Sequence, residues 1–299
     1  MGTPDYATTI FKELIKSEYE VIGLFTQPDK PVGRKQLLTP PHIKQYCIDE
    51  NINIPIFQPL KLRENLEAKK QIEDLNPDFI IVAAYGQILP KEILDIAPCI
   101  NLHASLLPKY RGASPIQESL LNDDYYTGVT SMLMEEGLDS GDILGLQYLK
   151  ITQTMEVEEA FHKLSEIAAK LTITTLDNFE KIEPLKQNES EVSFCKKIKK
   201  EDGLVDFKDA KKLYLKYKAY SFWPGVFLES GLKLKDIELV DIESENNEGE
   251  ILSIEDNFIL IACKKGILKV KTLQSPSKKA INSTDFVRGY RLDLGNIIK

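Results

Sequence analysis

The chain has 299 residues, of which 42% are hydrophobic and 28% are charged, and its formal net charge is −8. This balance excludes a disordered chain, and the length allows two domains. Four widely separated cysteines without a Cys-x-x-Cys pair argue against a zinc site or a secreted disulfide framework, and no apolar run approaches the about 20 residues of a membrane helix. We therefore expect a cytoplasmic protein without a metal centre or membrane contact.

The first part of the chain alternates apolar segments with segments of helical periodicity. Such alternation predicts a mostly parallel β-sheet with helices on both faces, which is a Rossmann-like α/β domain. The predicted strands are 21–25, 54–57, 79–84, 99–103, 128–134 and 143–149, and the predicted helices are 6–16, 42–50, 63–75, 114–121 and 157–179.

Polar side chains with catalytic chemistry lie at the end of the predicted strand 99–103. Because residues two apart in a strand share a face, Asn101 and His103 are expected to point the same way. A Gly- and Asp-rich loop at 137–142 supplies two carboxylates, Asp139 and Asp142. An amide for an oxyanion, an imidazole for a proton and a carboxylate to orient the imidazole suit acyl transfer to an amine. The alternative is a satisfied polar pair at a strand end.

The periodicity lapses after residue 182, and the mixed polar sequence of 183–205 predicts a linker. Short strands separated by polar turns follow, which favours a small β-barrel. The sequence therefore predicts a catalytic domain at 1–182, a linker at 183–205 and a smaller C-terminal domain at 206–299. In the last of these, a helix is predicted at 210–220 and strands at 233–240, 249–254, 258–262 and 266–273.

Positive charge is concentrated towards the C-terminus, although the whole chain is acidic. Between residues 261 and 299 nine Lys and Arg residues face only two Asp residues, and 196–200 (Lys-Lys-Ile-Lys-Lys) adds a second basic cluster. These side chains are either solvated lysines on a small domain or a surface that contacts phosphates. We favour the second interpretation.

Several motifs resemble those of one enzyme family, the folate-dependent formyltransferases. They are Asn-Leu-His at 101–103, Ser-Leu-Leu-Pro at 105–108, Arg-Gly-Ala at 111–113 and Gly-Leu-Asp-Ser-Gly-Asp at 137–142. Further matches at 2–5, 25–34, 84–86, 88–90 and 222–225 make the chain similar, almost end to end, to the members of the family that act on tRNA. The loop at 26–41 and the C-terminal domain, which the resemblance identifies as an OB-like barrel, indicate that branch.

The resemblance implies transfer of the formyl group of 10-formyltetrahydrofolate to the α-amino group of methionyl initiator tRNA, for translation initiation. Asn101 is then expected to donate a hydrogen bond to the formyl oxygen as it becomes an oxyanion. His103 polarises the same centre and relays a proton towards the departing folate nitrogen, and Asp139 orients His103 and favours its protonated form. No metal and no covalent intermediate are needed.

The resemblance also implies where the folate binds. The apolar loop 105–108 is expected to hold the pterin ring, and the segment 84–89 to line the same cleft. For Ile88 and Leu89 plain core packing is the alternative. Gly-Thr-Pro-Asp at 2–5 is not a Gly-x-Gly-x-x-Gly turn, so a dinucleotide is not expected. The expected folate-binding residues are Ser105, Leu106, Leu107, Pro108, Tyr85, Gly86, Ile88, Leu89 and Asp142.

The loop 26–41 is the expected contact for tRNA. It is long and irregular, it is rich in Pro and Gly, and it carries Lys30, Arg34 and Lys35. In the family the matching loop contacts the acceptor end of initiator tRNA, and Arg34 falls on its key arginine. A mobile surface loop is the alternative. We expect the protein to act as a monomer.

One feature departs from the family. Its members begin with an apolar strand before the turn at 2–5, whereas here Met1 is followed at once by Gly2. We expect the central strand to be missing and Met1 to be an internal methionine of the natural protein. Two other functions stay open: formylation of a small-molecule amine, such as glycinamide ribonucleotide or an amino sugar, and RNA binding without catalysis if the site does not assemble.

Overall fold

The computed structural model describes residues 1–33 and 35–299. The chain folds into two units: the first consists of residues 1–115, 126–150 and 161–195, and the second of residues 116–125, 151–160 and 196–299. Residues 183–195, which the sequence predicted as part of a linker, therefore belong to the first unit. They pair with it at two places, through a bridge from Leu185 to Ile143 and a short strand at Phe194–Cys195.

The elements of the chain up to residue 195 follow the predicted alternation. In chain order they are α1 (Asp5–Lys16), β1 (Leu24–Phe25), β2 (Lys30–Val32), β3 (Leu37–Thr39), α2 (His42–Asp49), β4 (Ile56–Phe57), α3 (Leu66–Leu75), β5 (Ile80–Val82), α4 (Lys91–Leu94), β6 (Cys99–His103), β7 (Arg111–Gly112), α5 (Pro115–Leu121), β8 (Tyr126–Leu133), β9 (Ile143–Lys150), α6 (Val157–Asn178) and β10 (Phe194–Cys195). Every strand and helix predicted for this part is present, and all but β6 have at least one shifted end.

The sheet of the first unit combines parallel and antiparallel pairing. β1 pairs parallel with β4, and β5 pairs parallel with β6, whereas β8 runs antiparallel to both β6 and β9. An antiparallel edge on an otherwise parallel sheet is common in α/β folds. The predicted fold class, a Rossmann-like sheet with helices, is confirmed. Because β6 lies between β5 and β8, its backbone is paired on both edges, and all five of its residues are buried.

Met1 and Gly2 lie between β1 and β5. The Gly2 N–H donates to the Phe25 carbonyl (3.0 Å), and the Ala83 N–H donates to the Met1 carbonyl (3.0 Å). Beside this pairing is a cavity of about 380 Å³, with apolar residues such as Ile10 in its lining. Among the described residues, Met1 and Gly2 thus join the two halves of the sheet at this level, and this is the place at which the sequence predicted a missing strand.

From residue 196 on, the second unit contains an antiparallel sheet and the α-helices α7 and α8. Its elements from residue 196 on are α7 (Ala210–Tyr220), β11 (Val226–Phe227), β12 (Lys233–Glu245), β13 (Ile251–Ile254), β14 (Ile259–Ala262), β15 (Lys265–Gln274), β16 (Ile281–Asn282) and α8 (Ser283–Tyr290). The strand order is β11-β12-β15-β14-β13, with β16 also on β15, and this pairing does not close into a ring among the described residues. The predicted C-terminal β domain is confirmed, and its four predicted strands correspond to β12–β15, but among the described residues they form an open sheet rather than the predicted barrel.

The four cysteines, Cys47, Cys99, Cys195 and Cys263, are buried free thiols. Burial raises the pKa of the Cys99 thiol and that of the Cys263 thiol to about 12. The described part of the chain contains no cluster of three or more His, Cys, Asp or Glu side chains placed to hold a metal ion. None of its helices combines the length and apolar character required to cross a membrane.

The close packing around Gly2 generates a first prediction. A Cβ atom at this position would lie 2.3 Å from the Ala7 Cβ and 2.9 Å from the Ala83 carbonyl oxygen, so Gly2→Ala forces β5 or α1 to shift. We expect a loss of about 1–3 kcal/mol in the free energy of unfolding, measured by urea denaturation.

Gly289→Ala is the matched control, because a Cβ atom there meets no other atom within 4 Å and the residue lies in α8. Alanine in a helix is more stable than glycine by about 0.5–1 kcal/mol, so this variant is expected to gain stability. An unchanged urea midpoint for Gly2→Ala would contradict the packing described for Met1 and Gly2.

Candidate active site

Strand β6 presents Asn101 and His103 on the same side of the sheet. Their alternation with Leu102, which is 2% exposed in the core, follows from the pleat of a strand. Asn101 pairs with Val82 of β5, and His103 pairs with Thr130 of β8. Both functional side chains are nearly enclosed, at 9% and 6% exposure. The strand therefore fixes an amide and an imidazole next to each other in a largely dry position.

The carboxylate of Asp139 joins these two side chains. Asn101 Nδ2 donates to Asp139 Oδ1 at 3.3 Å, and His103 Nδ1 lies 3.7 Å from Asp139 Oδ2. The backbone N–H of Gly112 donates to Oδ2 at 2.9 Å. The structure thus brings together the three residues that the sequence predicted as catalytic, and it adds a backbone donor that the sequence did not reveal.

The hydrogen bonds of His103 define where its protons lie. Its Nε2 is 2.9 Å from the Tyr110 carbonyl oxygen, which only accepts, so Nε2 carries a hydrogen. The other nitrogen, Nδ1, faces Asp139. When the ring carries both protons, each N–H points towards an acceptor. The imidazole is therefore held in one orientation, with Nδ1 as the position from which a proton can be given or taken.

Gly112 reaches Asp139 because of a strand pair that the sequence did not predict. β7 pairs parallel with β10, and Arg111 and Gly112 lie opposite Phe194 and Cys195. Gly112 has a positive φ of 125°, and a Cβ atom there would lie 2.3 Å from the Cys195 carbonyl oxygen. Only glycine suits such a position, so Gly112 of the Arg-Gly-Ala motif has a direct structural role.

The loop that carries Asp139 is held by a buried glutamine. Gln187 Nε2 donates to the carbonyl oxygens of Asp139 (2.9 Å) and Gly141 (2.8 Å). Arg111 donates to Gln187 Oε1 from Nε (3.0 Å) and Nη2 (2.8 Å), and its Nη2 also contacts Glu189 (2.7 Å). Asp139 has a φ of 49°, in the left-handed region, so these bonds stabilise a backbone that is unfavourable by itself. Gln187 lies in the segment predicted as a linker, where no motif indicated it.

The predicted folate loop 105–108 follows β6 and is fixed by its own hydrogen bonds. The Ser105 hydroxyl donates to the Lys109 carbonyl at 2.6 Å, while the Thr130 hydroxyl donates to the Ser105 carbonyl and accepts from the Leu107 N–H. Ser105 and Leu107 are buried, and Leu106 and Pro108 are half-buried. The last two are therefore the side chains of this loop that remain partly open to a ligand.

The predicted segment 84–89 follows β5, whose carboxyl end is next to that of β6 in the parallel pair. Tyr85 and Leu89 are buried in the core, whereas Gly86 is exposed and Ile88 is 78% exposed. Burial raises the pKa of Tyr85 to about 12, so its phenol stays neutral at physiological pH. Asp142 is half-buried, and its carbonyl oxygen accepts from the Leu133 N–H.

The predicted tRNA loop contains a short hairpin rather than a wholly irregular connection. β2 and β3 pair antiparallel, with Val32 opposite Leu37, and Gly33 has a positive φ of 71° in the turn. Lys30 and Lys35 are exposed on this hairpin. Arg34, which the sequence predicted as the key contact, lies outside the described residues. The sequence did not predict these two strands of three residues each, because the Pro and Gly residues of this segment are not typical of strands.

Comparison with known proteins assigns both halves of the chain to one family. Residues 1–176 match the formyl transferase family, and residues 197–291 match the formyl transferase C-terminal domain. The methionyl-tRNA formyltransferase of a Nitratiruptor species is 55% identical over 296 residues, which are 99% of this chain and 97% of the relative. That of Campylobacter lari is 56% identical, with the same coverage. The chain belongs to the formyl transferase family, and it is an enzyme of formyl transfer.

Solved structures share the fold at low sequence identity. WlaRD, a sugar 3N-formyl transferase crystallised with dTDP and 5-N-formyl-THF, is 17% identical with a TM-score of 0.67, and the match covers 93% of this chain and 97% of WlaRD. The methionyl-tRNA formyltransferase from Clostridium thermocellum is 22% identical with a TM-score of 0.53, and the match covers 74% of this chain and 94% of that one. These likenesses confirm the fold class.

A second prediction concerns Gln187. Gln187→Ala removes both donors that hold the Asp139 loop and leaves the Arg111 guanidinium without its buried acceptor. Because a displacement of about 1 Å in a catalytic group can cost about a hundredfold in rate, we expect kcat for formyl transfer to fall by about that factor. The measurement is steady-state transfer of labelled formyl groups.

Lys186→Ala serves as the control, because Lys186 is the exposed neighbour of Gln187 on the same segment. We expect this variant to turn over as the wild-type protein does. A Gln187→Ala variant with an unaltered kcat would mean that the loop keeps its geometry without the glutamine.

Proposed function

We propose that this protein transfers the formyl group of 10-formyltetrahydrofolate to the α-amino group of methionyl initiator tRNA. The observation that carries the proposal is the meeting of Asn101, His103 and the Gly112 N–H at the Asp139 carboxylate. It is supported by relatives named methionyl-tRNA formyltransferase at 55% and 56% identity over almost the whole chain. Such a reaction belongs to translation initiation, in the cytoplasm.

The reaction exchanges one C–N bond for another. The neutral amine attacks the formyl carbon, its bond to carbon forms, and the carbonyl oxygen becomes an oxyanion. Asn101 Nδ2 carries two N–H groups, of which one contacts Asp139. The other is assigned to the oxyanion. The bond from carbon to the folate nitrogen then breaks as that nitrogen takes up a proton.

His103 and Asp139 are assigned to the movement of that proton. The amine loses a proton as it becomes an amide, and the folate nitrogen gains one, so the overall count is balanced. His103 Nδ1 faces the carboxylate, while Nε2 is occupied by the Tyr110 carbonyl. Nδ1 is therefore the relay position, and the Asp139 carboxylate stabilises the imidazolium that carries the proton.

The folate is assigned to the side of the site formed by the loops after β5 and β6. These loops follow neighbouring parallel strands, and ligands of open α/β sheets bind at that end of the strands. Leu106, Pro108 and Ile88 keep exposed apolar surface there for the pterin ring. Ser105, Leu107, Tyr85 and Leu89 support the two loops from within the core. Asp142 is assigned a polar contact at the same cleft.

The hairpin β2–β3 is assigned to the tRNA. Lys30 and Lys35 supply positive charge, and the exposed apolar residues Val32, Leu37 and Leu38 leave a surface that a nucleic-acid end can cover. Arg34 is assigned to the same contact from its position in the sequence. Part of the basic C-terminal segment is less available, because Lys269 and Lys271 form ion pairs with Glu238.

A third prediction tests the reaction and its residues together. Wild-type protein is expected to transfer labelled formyl from 10-formyltetrahydrofolate to methionyl initiator tRNA. Asn101→Ala loses a donor to the oxyanion, so we expect kcat to fall by about 10²–10³. His103→Ala loses the proton relay and is expected to cost about 10²–10⁴.

His162→Ala is the matched control, because His162 is an exposed histidine on α6. Glycinamide ribonucleotide and a dTDP-amino sugar are tested beside tRNA as acceptors, since WlaRD shares the fold. If the labelled formyl group appears in one of the small amines and not in tRNA, that amine and not tRNA is the acceptor. RNA binding without transfer to any acceptor would overturn the catalytic proposal.

A further inference from the structure

Two aromatic side chains of the second unit are exposed to solvent. Phe222 and Trp223 follow directly after α7, and they are 75% and 50% exposed. Burial of a large aromatic side chain away from water is stabilising. An exposed aromatic pair on a surface turn therefore points to contact with a partner. Neither residue has a part in the site built around Asp139.

The backbone of the turn that carries these two residues is fixed by hydrogen bonds and by a buried proline. The Gly225 N–H donates to the Tyr220 carbonyl at 2.8 Å, and Gly225 takes a positive φ of 76°. Pro224 is buried, and Lys233 Nζ lies 3.5 Å from its carbonyl oxygen. Because the backbone is already fixed, a partner that covers the rings loses little entropy in ordering them.

A short helix that follows a basic segment packs against the same turn. Gly203 ends a short 3₁₀ helix, Lys200–Gly203, and a Cβ atom on it would lie 2.2 Å from the Gly225 carbonyl oxygen and 2.9 Å from Pro224 Cγ. The segment 196–200 contains four exposed lysines, of which Lys199 pairs with Glu201. Lys233 adds a further positive charge at the turn itself. Lys200 thus begins the short helix that packs on the turn, and Lys233 contacts the turn directly.

We propose that Phe222 and Trp223 form a stacking surface for unpaired bases of an RNA, with Lys197, Lys200 and Lys233 placed for its phosphates. Sequence-independent binding of single strands combines these two elements, aromatic faces for bases and positive charge for the backbone. This inference rests on the proposed function for the identity of the RNA, which is the tRNA substrate. It assigns the Phe-Trp-Pro-Gly motif at 222–225 a role in binding.

The chain contains a single tryptophan, so its intrinsic fluorescence reports on Trp223 alone. The probes are uncharged initiator tRNA, a single-stranded RNA dodecamer and the duplex of that dodecamer. We expect quenching by the tRNA and the single strand, weaker quenching by the duplex, and affinity that falls steeply as salt is raised. Unchanged emission at RNA concentrations that saturate binding in a filter assay would overturn the proposal, as would the absence of any binding.

Phe222→Ser tests the surface while it keeps Trp223 as the reporter. Loss of one stacked base is expected to raise the Kd for tRNA about tenfold. Phe222→Tyr keeps a ring and is expected to bind like the wild type. Val240→Ser, at a 52% exposed position of β12, is the control for loss of apolar surface. Equal affinity of Phe222→Ser and Val240→Ser would overturn the proposal.

Two outcomes separate this inference from the proposed function. If wild-type protein formylates tRNA while Phe222→Ser binds tRNA undiminished, the stacking surface is refuted and the proposed function stands. If RNA quenches Trp223 but no formyl transfer occurs, the proposed function fails and the surface stands. Quenching by polyglutamate as strong as that by RNA would refute base stacking and indicate an acidic protein partner.

Discussion

The candidate site depends on the hydrogen bonds and the charge contact of the Asp139 carboxylate. It accepts hydrogen bonds from the Asn101 side chain and the Gly112 backbone, and it faces His103 Nδ1. A carboxylate in a mostly enclosed position is costly unless it is paired and hydrogen-bonded, so these contacts are also what keeps it in place. Its own backbone is in the left-handed region, and Gln187 holds it there.

Three distant parts of the first unit must therefore be in register for the site to exist. β6 brings Asn101 and His103, the loop after β8 brings Asp139, and the pair β7–β10 brings Gly112. Arg111 and Gln187 connect the last two parts, which couples segment 183–195 to the loop that carries Asp139. A formyl group in transfer needs donors already in position where negative charge develops, and this network is a means of fixing them before substrate arrives.

The sequence predicted an element correctly where its pattern of apolar residues matched the residues that are buried in the structure. β6 was predicted at its observed ends because an apolar strand stops at polar His103, and α7 was predicted at its observed ends, with Asp209 capping its first turn. Helix α8 was missed, because eight residues with a central Val and Gly289 show little helical preference. The role of Gln187 was not predictable, because it depends on a contact 48 residues away in sequence. Pairing at such separation leaves no periodic signal.

The most direct measurement is kcat for formyl transfer by Asp139→Asn, compared with Asp95→Asn, an exposed aspartate that only pairs with Lys91. The substitution at Asp139 keeps the shape of the side chain but removes the charge that faces His103. We predict a fall of about a hundredfold or more for Asp139→Asn and wild-type turnover for Asp95→Asn. Equal turnover by the two variants would contradict the central role of the Asp139 carboxylate.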